Sequence, residues 1–119
     1  MSKPAVAWFE VTGKDAAGLQ RFYQSLFDWQ IQDSGGGYGI VAAADKGIGG
    51  GIGSAQDGDA GHVSFYVEVD DPAAYLSKAE QLGGHTVVPP TDIPQFGLTF
   101  AFFTDPEGHL IGLSKGAVQ

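Results

Sequence analysis

Polar and apolar residues alternate without interruption in the stretch His62-Val63-Ser64-Phe65-Tyr66-Val67-Glu68-Val69. The next three residues, Asp70-Asp71-Pro72, are typical of the start of a helix. One face of the predicted strand is apolar, and the other carries His62, Ser64, Tyr66 and Glu68. Asp71 is the predicted N-cap of the following helix, with Pro72 at its first position. The apolar face should pack on a helix. The polar face, with an imidazole, a phenol and a carboxylate, is therefore the predicted wall of a site.

The rest of the chain divides into elements around this strand. Downstream, the pattern predicts a helix at 72–82 with Ala73, Leu76, Ala79 and Leu82 facing inward, and strands at 85–88, 98–104 and 109–115. The dipeptide Pro89-Pro90 should end the first of these strands, because proline cannot donate to a ladder. Upstream of this strand, the same kind of pattern predicts a strand at 5–11 and a helix that begins after Asp15 and ends near Asp28. It also predicts short strands at 29–33, 38–43 and 48–52.

The two halves of the chain have the same element order. Glu10-Val11 corresponds to Glu68-Val69, and Ala16-Ala17 to Ala73-Ala74, which gives an internal repeat of roughly 57 residues. A single half cannot bury its own core, so the two should pair in one α+β domain. We expect module one at 1–55, a polar, glycine-rich linker at 56–61 and module two at 62–119. The predicted core aromatics are Phe9, Phe22, Tyr23, Phe65 and Phe103.

Composition narrows the function classes. The 119 residues suffice for one domain, and 14 acidic against 6 basic residues give a net charge of −8, which disfavours nucleic-acid binding. This acidity indicates either solubility or a preference for cationic ligands. Without cysteine there is no disulfide or thiolate chemistry, and without a signal or membrane pattern we expect a cytoplasmic protein that binds neither nucleic acid nor membrane. The glycines at 47–53 lack the context of a nucleotide-binding loop.

Five segments in their order resemble the vicinal oxygen chelate superfamily, which includes glyoxalase I, extradiol dioxygenases and bleomycin-resistance proteins. They are Trp8-Phe9-Glu10-Val11, Leu19 with Phe22-Tyr23, Leu26-Phe27-Asp28-Trp29, the stretch 62–71, and Asp105-Pro106-Glu107-Gly108. The likeness is greatest to the glyoxalase/bleomycin-resistance-like group. It implies two βαβββ modules that form an open, cup-shaped mixed sheet with the helices outside. It also implies a homodimer, in which the modules are often exchanged between chains.

The resemblance also implies where a divalent metal would bind in metal-dependent members. In this sequence the three matching positions carry Trp8, His62 and Gly112, the last in place of the carboxylate of the family's final strand. A catalytic metal needs about three protein ligands, so one imidazole is too few. We therefore expect no cofactor, with His62 as a weak metal candidate and a divalent metal as the alternative.

Seven residues are predicted to line the ligand site. They are Trp8, Glu10, His62, Tyr66, Glu68, Phe100 and Phe102. Aromatic faces beside carboxylates suit a flat or cationic ligand through stacking and cation–π contact. Two other interpretations stay open. In the first, the aromatic residues fill a collapsed cup or a dimer interface. In the second, the carboxylates of Glu10 and Glu68 lie at a solvent-wet rim instead of acting as acid/base groups or as anchors for a ligand. No nucleophile is flanked by an oriented base, so no catalytic residue is assigned.

Three functional hypotheses follow. The first is a glyoxalase/bleomycin-resistance-like protein that binds a small cationic or aromatic molecule without a metal, by sequestration or sensing. The second is a metal-dependent lyase, isomerase or dioxygenase of the same superfamily, with ligands rebuilt from His62, Glu10 and Glu68. The third is a non-catalytic subunit that acts only through protein contacts. Fold alone does not choose among them.

Overall fold

The computed structural model describes residues 3–56 and 59–116, and these fold into eight strands and two α-helices. In chain order they are β1 (Ala5–Gly13), α1 (Ala16–Phe27), β2 (Ile31–Asp33), β3 (Gly39–Val41), β4 (Gly49–Ser54), β5 (Val63–Glu68), α2 (Pro72–Gln81), β6 (His85–Ile93), a 3₁₀ turn (Pro94–Phe96), β7 (Leu98–Thr104) and β8 (Leu110–Lys115). Each half therefore runs strand, helix, strand, strand, strand. The predicted α+β fold of two βαβββ modules is confirmed. Residues 57 and 58 of the predicted linker lie outside the described residues.

The chain divides into two compact units with matching topology. The first unit comprises residues 8–64, and the second comprises residues 65–116 together with 3–7. In the first unit the strand order is β2-β3-β4-β1, and in the second it is β6-β7-β8-β5. The first and last strands of each half pair in parallel, β1 with β4 and β5 with β8, whereas the other pairs are antiparallel. The internal repeat in the sequence therefore corresponds to a repeat in strand pairing.

Side-chain caps fix where both helices begin. The Asp15 carboxylate accepts a hydrogen bond from the Gly18 N–H at 3.0 Å, and that of Asp71 accepts one from the Ala74 N–H at 3.2 Å. Both predicted N-caps are confirmed, because a carboxylate satisfies an N–H that has no partner inside the helix. Neither helix has the length and apolar character that a membrane crossing demands, as far as the described residues extend.

The core of the second unit lies between α2 and the strands. Its buried members are Val69, Leu76, Ala101 and Leu113, with Val67, Tyr75 and Phe103 packed against them. The prediction that Phe103 belongs to the core is thus confirmed.

Four side chains predicted to face inward are exposed: Ala73 in the first turn of α2, Leu82, Phe22 and Phe65. Leu82 is 70% exposed because α2 ends at Gln81 and Leu82 lies beyond the helix, which stops short of its predicted end. The side of α1 that packs on the sheet carries Ala16 and Leu19, and Leu19 touches Gly13. Phe22 lies away from this side and is therefore exposed. Phe65 is exposed because the core begins two residues later, at Val67.

The predicted break at Pro89-Pro90 is wrong, since β6 continues through both prolines to Ile93. Val88 pairs with Phe102 and Thr91 pairs with Phe100, so the strand carries one extra residue at the prolines and forms a bulge. β6 also stands last in the strand order of its unit. Proline is tolerated at bulges and at the free side of such strands, where no ladder N–H is required.

Truncation of two leucines in and beyond α2 tests this assignment of the core. Leu76→Ala should lower the free energy of unfolding by about 2–4 kcal/mol, because it leaves a cavity in a packed core. Leu82→Ala should change it by less than about 0.5 kcal/mol, because that side chain is already in solvent. Urea denaturation followed by circular dichroism measures both. Equal losses in the two variants would show that Leu82 is buried as the sequence pattern suggested.

Candidate functional site

A chain of hydrogen bonds connects four side chains of the first unit. The indole Nε1–H of Trp8 donates to the Tyr38 hydroxyl at 3.2 Å, and this hydroxyl donates to Oε2 of Glu10 at 2.8 Å. The other carboxylate oxygen of Glu10 lies 2.7 Å from Nε2 of His62. Trp8 and Glu10 are both buried. We call these four residues the Glu10 network.

The strand geometry brings the Glu10 network together. Trp8, Glu10 and Thr12 alternate along β1 and share a face. His62 comes just before β5 and is fastened beside β1 by two hydrogen bonds. Its carbonyl accepts from the Thr12 N–H at 2.8 Å, and its N–H donates to the Thr12 hydroxyl at 2.9 Å. The imidazole is therefore held next to the carboxylate by the backbone as well as by the side chains.

The glycines of β4 make room for the Tyr38 ring. Gly51 and Gly53 lie opposite Glu10 and Thr12 in the parallel pairing of β1 with β4. A Cβ atom built on Gly51 would overlap the Tyr38 hydroxyl, and one on Gly53 would lie 2.5 Å from the Tyr38 ring. The ring thus lies against strand positions that have no side chains. The glycine-rich segment 47–53 thus contains positions against which an aromatic ring packs. This is consistent with the prediction that the segment is not a nucleotide-binding loop.

The surroundings of Tyr38 keep its hydroxyl protonated. Burial raises the pKa of Tyr38 above its ordinary value near 10, and the negative charge of Glu10 raises it further. The phenol is therefore a permanent hydrogen-bond donor to Glu10. The interpretation of Glu10 as a residue of a solvent-wet rim is wrong, because only 8% of it is exposed.

The chemistry open to the Glu10 network follows from these contacts. A carboxylate beside an imidazole orients the ring through a hydrogen bond, and such a pair contains the groups that general acid–base chemistry uses. Both carboxylate oxygens of Glu10 already contact protein donors, so the network resembles an internally satisfied unit more than an open cation site. Across residues 3–56 and 59–116, no group of three or more His, Cys, Asp or Glu side chains is placed to hold a metal ion.

The second unit presents a different surface, built by register across three strands. Tyr66, Gly112 and Phe102 lie side by side on β5, β8 and β7. The neighbouring row is formed by Glu68, Ser114 and Phe100. The Tyr66 and Phe102 rings are 5.3 Å apart, and those of Phe100 and Phe102 are 5.9 Å apart. We call these two rows the aromatic surface.

The two central residues of the aromatic surface differ from their aromatic neighbours. A Cβ atom on Gly112 would overlap the Tyr66 ring, so a carboxylate side chain at this position would have to displace that ring. Ser114 is 1% exposed, and its hydroxyl has no hydrogen-bond partner in the part of the chain that the structure describes. A buried hydroxyl without a partner is uncommon and calls for a water molecule or a ligand group.

The seven residues predicted for the site thus fall into two groups. Trp8, Glu10 and His62 meet in the Glu10 network, whereas Tyr66, Glu68, Phe100 and Phe102 belong to the aromatic surface. Glu68 is exposed, as the rim interpretation proposed, and the three aromatic residues are half-buried. The sequence patterns did not single out Tyr38 or Ser114. For Tyr38 a signal was present, since alternate glycines on a strand indicate a group lying on it.

Comparison with known families agrees with this geometry. The sequence model of the Glyoxalase/Bleomycin resistance protein/Dioxygenase superfamily matches residues 5–113. The chain belongs to this superfamily. Its membership accounts for the repeated βαβββ topology and confirms the resemblance drawn from the sequence motifs.

Two relatives of this glyoxalase-superfamily chain are longer proteins. The anthracycline biosynthesis protein DnrV of Streptomyces peucetius is 30% identical over 133 residues, covering 97% of this chain and 48% of DnrV. The glyoxylase-like protein CFP32 of Mycobacterium bovis is 35% identical over 86 residues, covering 72% of this chain and 33% of CFP32. The chain therefore spans half or less of the length of these relatives.

Solved structures share the superfamily fold at low sequence identity. A glyoxalase/bleomycin resistance protein/dioxygenase superfamily member from Vibrio splendidus aligns with a TM-score of 0.66 and 11% identity, covering 96% of this chain and 100% of that one. Methylmalonyl-CoA epimerase from Mycobacterium tuberculosis aligns with a TM-score of 0.67 and 12% identity, covering 99% and 93% of the two chains. At such identities the likeness concerns the fold alone.

Removal of the Tyr38 hydroxyl tests the Glu10 network of this superfamily member. Tyr38→Phe should lower the free energy of unfolding by about 1–3 kcal/mol, because a buried carboxylate loses a donor and the Trp8 N–H loses its acceptor. Tyr75→Phe is the matched control, since Tyr75 packs against the core and lies outside the network. Chemical denaturation of both variants gives the comparison. A loss no larger than that of the control would contradict the proposed contribution of these hydrogen bonds.

The raised pKa of Tyr38 also predicts a dependence of stability on alkaline pH. Above the ordinary tyrosine pKa the unfolded chain releases this proton and the folded chain keeps it, so the folded state binds more protons. Stability from this source is complete below about pH 10 and declines as the pH rises further. The unfolding free energy, measured at about pH 9 and about pH 11, should therefore decline more steeply for the wild type than for Tyr38→Phe. Parallel declines would exclude this account.

Proposed function

We propose that this protein is a small-molecule-binding member of the glyoxalase/bleomycin-resistance superfamily that works without a metal. The observation that carries the proposal is the aromatic surface, in which half-buried rings lie in the same strand rows as a buried hydroxyl that has no partner among the described residues. Small-molecule sites are mostly apolar and hold a few convergent polar groups. The aromatic surface has this composition.

The ligand class follows from the side chains of the surface. Half-buried rings of Tyr66, Phe100 and Phe102 offer apolar faces and edges to a flat molecule. The exposed residue Glu68 lies in register beside Ser114, one strand away from Phe100, where its carboxylate would favour a positive charge. The net charge of −8 acts in the same direction over longer distances. A planar aromatic cation is therefore the ligand class that we favour.

Two observations support the metal-independent part of the proposal. At the position where the family motif carries a carboxylate, Gly112 is covered by the Tyr66 ring. Two side chains of the kind that ligate metals, the Glu10 carboxylate and the His62 imidazole, contact each other at 2.7 Å. A metal would have to separate this pair and would gain two ligands, fewer than the three that catalytic sites use.

The name of one relative fits the proposed ligand class. DnrV is described by its name as an anthracycline biosynthesis protein, which connects this relative with aromatic small molecules. Because this chain spans 48% of DnrV, the likeness supports the class of ligand and not the complete activity of that longer protein.

Binding measured by isothermal titration calorimetry tests the proposal. Three probes separate the contributions: proflavine is a planar cation, anthraquinone sulfonate a planar anion, and cyclohexylamine a non-planar cation. We expect the affinity for proflavine to exceed that for each of the others by about 10-fold, because it alone uses both stacking and charge. Addition of EDTA, zinc, nickel or manganese should leave the affinity unchanged.

Leucine variants locate the binding surface. Phe100→Leu and Phe102→Leu keep an apolar side chain but remove the ring, and each should weaken proflavine binding by about 3- to 10-fold. Phe103→Leu is the matched control, because Phe103 is on the same strand and packs into the core on the other side. The proposal fails if none of the probes binds, if Phe103→Leu weakens binding as much, or if binding requires a metal.

A further inference from the structure

A cavity lies between helix α2 and the sheet of the second unit. Its volume is about 380 Å³, which is within the range of small-molecule sites. Its apolar walls are formed by Tyr75, Ala79 and Leu82 on the helix side and by Val67, Phe103 and Leu113 on the strand side. We call it the α2 cavity.

The α2 cavity and the aromatic surface are on opposite faces of the same strands. Val67 follows Tyr66 along β5, and neighbouring residues of a strand point to opposite sides of the sheet. The same relation holds between Phe103 and Phe102 on β7. Val67 and Phe103 pack against the core on the side of α2. The cavity is therefore a separate site from the surface that we propose to bind a planar cation.

The cavity exists because the side chains that α2 directs at the sheet become smaller toward its end. Leu76 is buried in the core, but one turn later the helix carries only the methyl group of Ala79. Leu82 follows after the helix has ended and is 70% exposed. Val67 and Phe103 on the strands are consequently left only partly covered. Because packed cores contain few voids larger than a water molecule, this one offers room for an apolar guest.

The two charged residues that line the α2 cavity differ in their partners. One carboxylate oxygen of Asp105 accepts hydrogen bonds from the N–H groups of Glu107 and His109, both at 2.9 Å. The second oxygen lies 3.0 Å from Nδ1 of His109, so both oxygens are bound within one tight turn. Lys78 is exposed, and its ammonium has no hydrogen bond or ion pair within residues 3–56 and 59–116. The charge available to a ligand is therefore positive.

We propose that the α2 cavity binds a small aliphatic carboxylic acid, with its tail between α2 and the sheet and its carboxylate at Lys78. The apolar walls keep a charged head group at the mouth, because a buried charge without a partner is costly. The four-carbon stem of a lysine lies along apolar surface while its ammonium stays in water. The net charge of −8 repels anions at long range, but the ammonium acts at contact distance, where salt screens least. The proposal does not depend on the aromatic surface.

Calorimetric titration with three eight-carbon compounds tests the choice of head group. Octanoate, 1-octanol and octylamine share one tail and differ in charge. The affinity for octanoate should exceed that for 1-octanol by about 3-fold, because an exposed ion pair contributes modestly, and should exceed that for octylamine by more. Lys78→Met keeps an apolar stem and removes the charge, so it should abolish the advantage of octanoate and leave the affinity for 1-octanol unchanged.

Ala79→Leu tests the location of the tail. Leucine adds three carbons and displaces about as many from the cavity. Since each buried methylene contributes about 4-fold to affinity, octanoate should bind at least about 10-fold more weakly. The free energy of unfolding should stay unchanged or rise, because the variant fills space beside the core. The matched control is Ala74→Leu, the same substitution at an exposed position of α2, which should leave octanoate binding unchanged.

Two further variants make the test independent of effects on folding. Leu82→Ala removes part of the cavity wall at an exposed position and should weaken octanoate binding by about 3-fold or more. Phe102→Leu, on the opposite face of the sheet, should leave it unchanged. Absence of octanoate binding at millimolar concentration would overturn the proposal, as would an equal affinity for octylamine. So would binding that Ala79→Leu and Leu82→Ala leave intact, or that Phe102→Leu weakens as much as Ala79→Leu does.

Discussion

The buried carboxylate of Glu10 is the constraint on which the first unit depends. A charged group away from water needs hydrogen bonds, and here they come from Tyr38, just before β3, and from His62, just before β5. The Tyr38 ring that reaches Glu10 lies against Gly51 and Gly53 of β4, where a Cβ atom would overlap it. The hydrogen bonds of this one carboxylate thus go together with glycines in β4, with the placement of the Tyr38 ring and with the backbone contacts that hold His62.

In the second unit a tyrosine ring also packs over a glycine of a neighbouring strand, but the surface that results is mostly apolar. There the position that carries a carboxylate in the family motif is a glycine, and the Tyr66 ring occupies the space above it. The result is a mostly apolar surface with one buried hydroxyl, in place of a charged network. The two halves keep the same strand pairing while their polar chemistry has diverged. This divergence supports a binding role for the aromatic surface and a largely structural role for the Glu10 network.

The sequence predicts those features that depend on neighbours along the chain. The strand around Tyr66, the caps Asp15 and Asp71, and the repeat of elements all follow from local spacing, and the structure confirms them. The alternate glycines of β4 indicate that some group lies on that strand, but the identity of this group as Tyr38 depends on which strands pair and in what register. The unpartnered hydroxyl of Ser114 is likewise a product of register. The exposure of Phe22 was missed because periodicity identifies an apolar stripe but not how much of it a partner covers.

The prolines of β6 have a consequence for association between copies of this chain. An open sheet edge with free N–H groups invites another strand to add to it, and this is a common route to aggregation. Pro89 and Pro90 lack N–H donors and stand at a bulge in the last strand of their sheet order. They therefore make β6 a poor template for strand addition. Another copy of the chain is therefore hindered from extending the sheet at this strand.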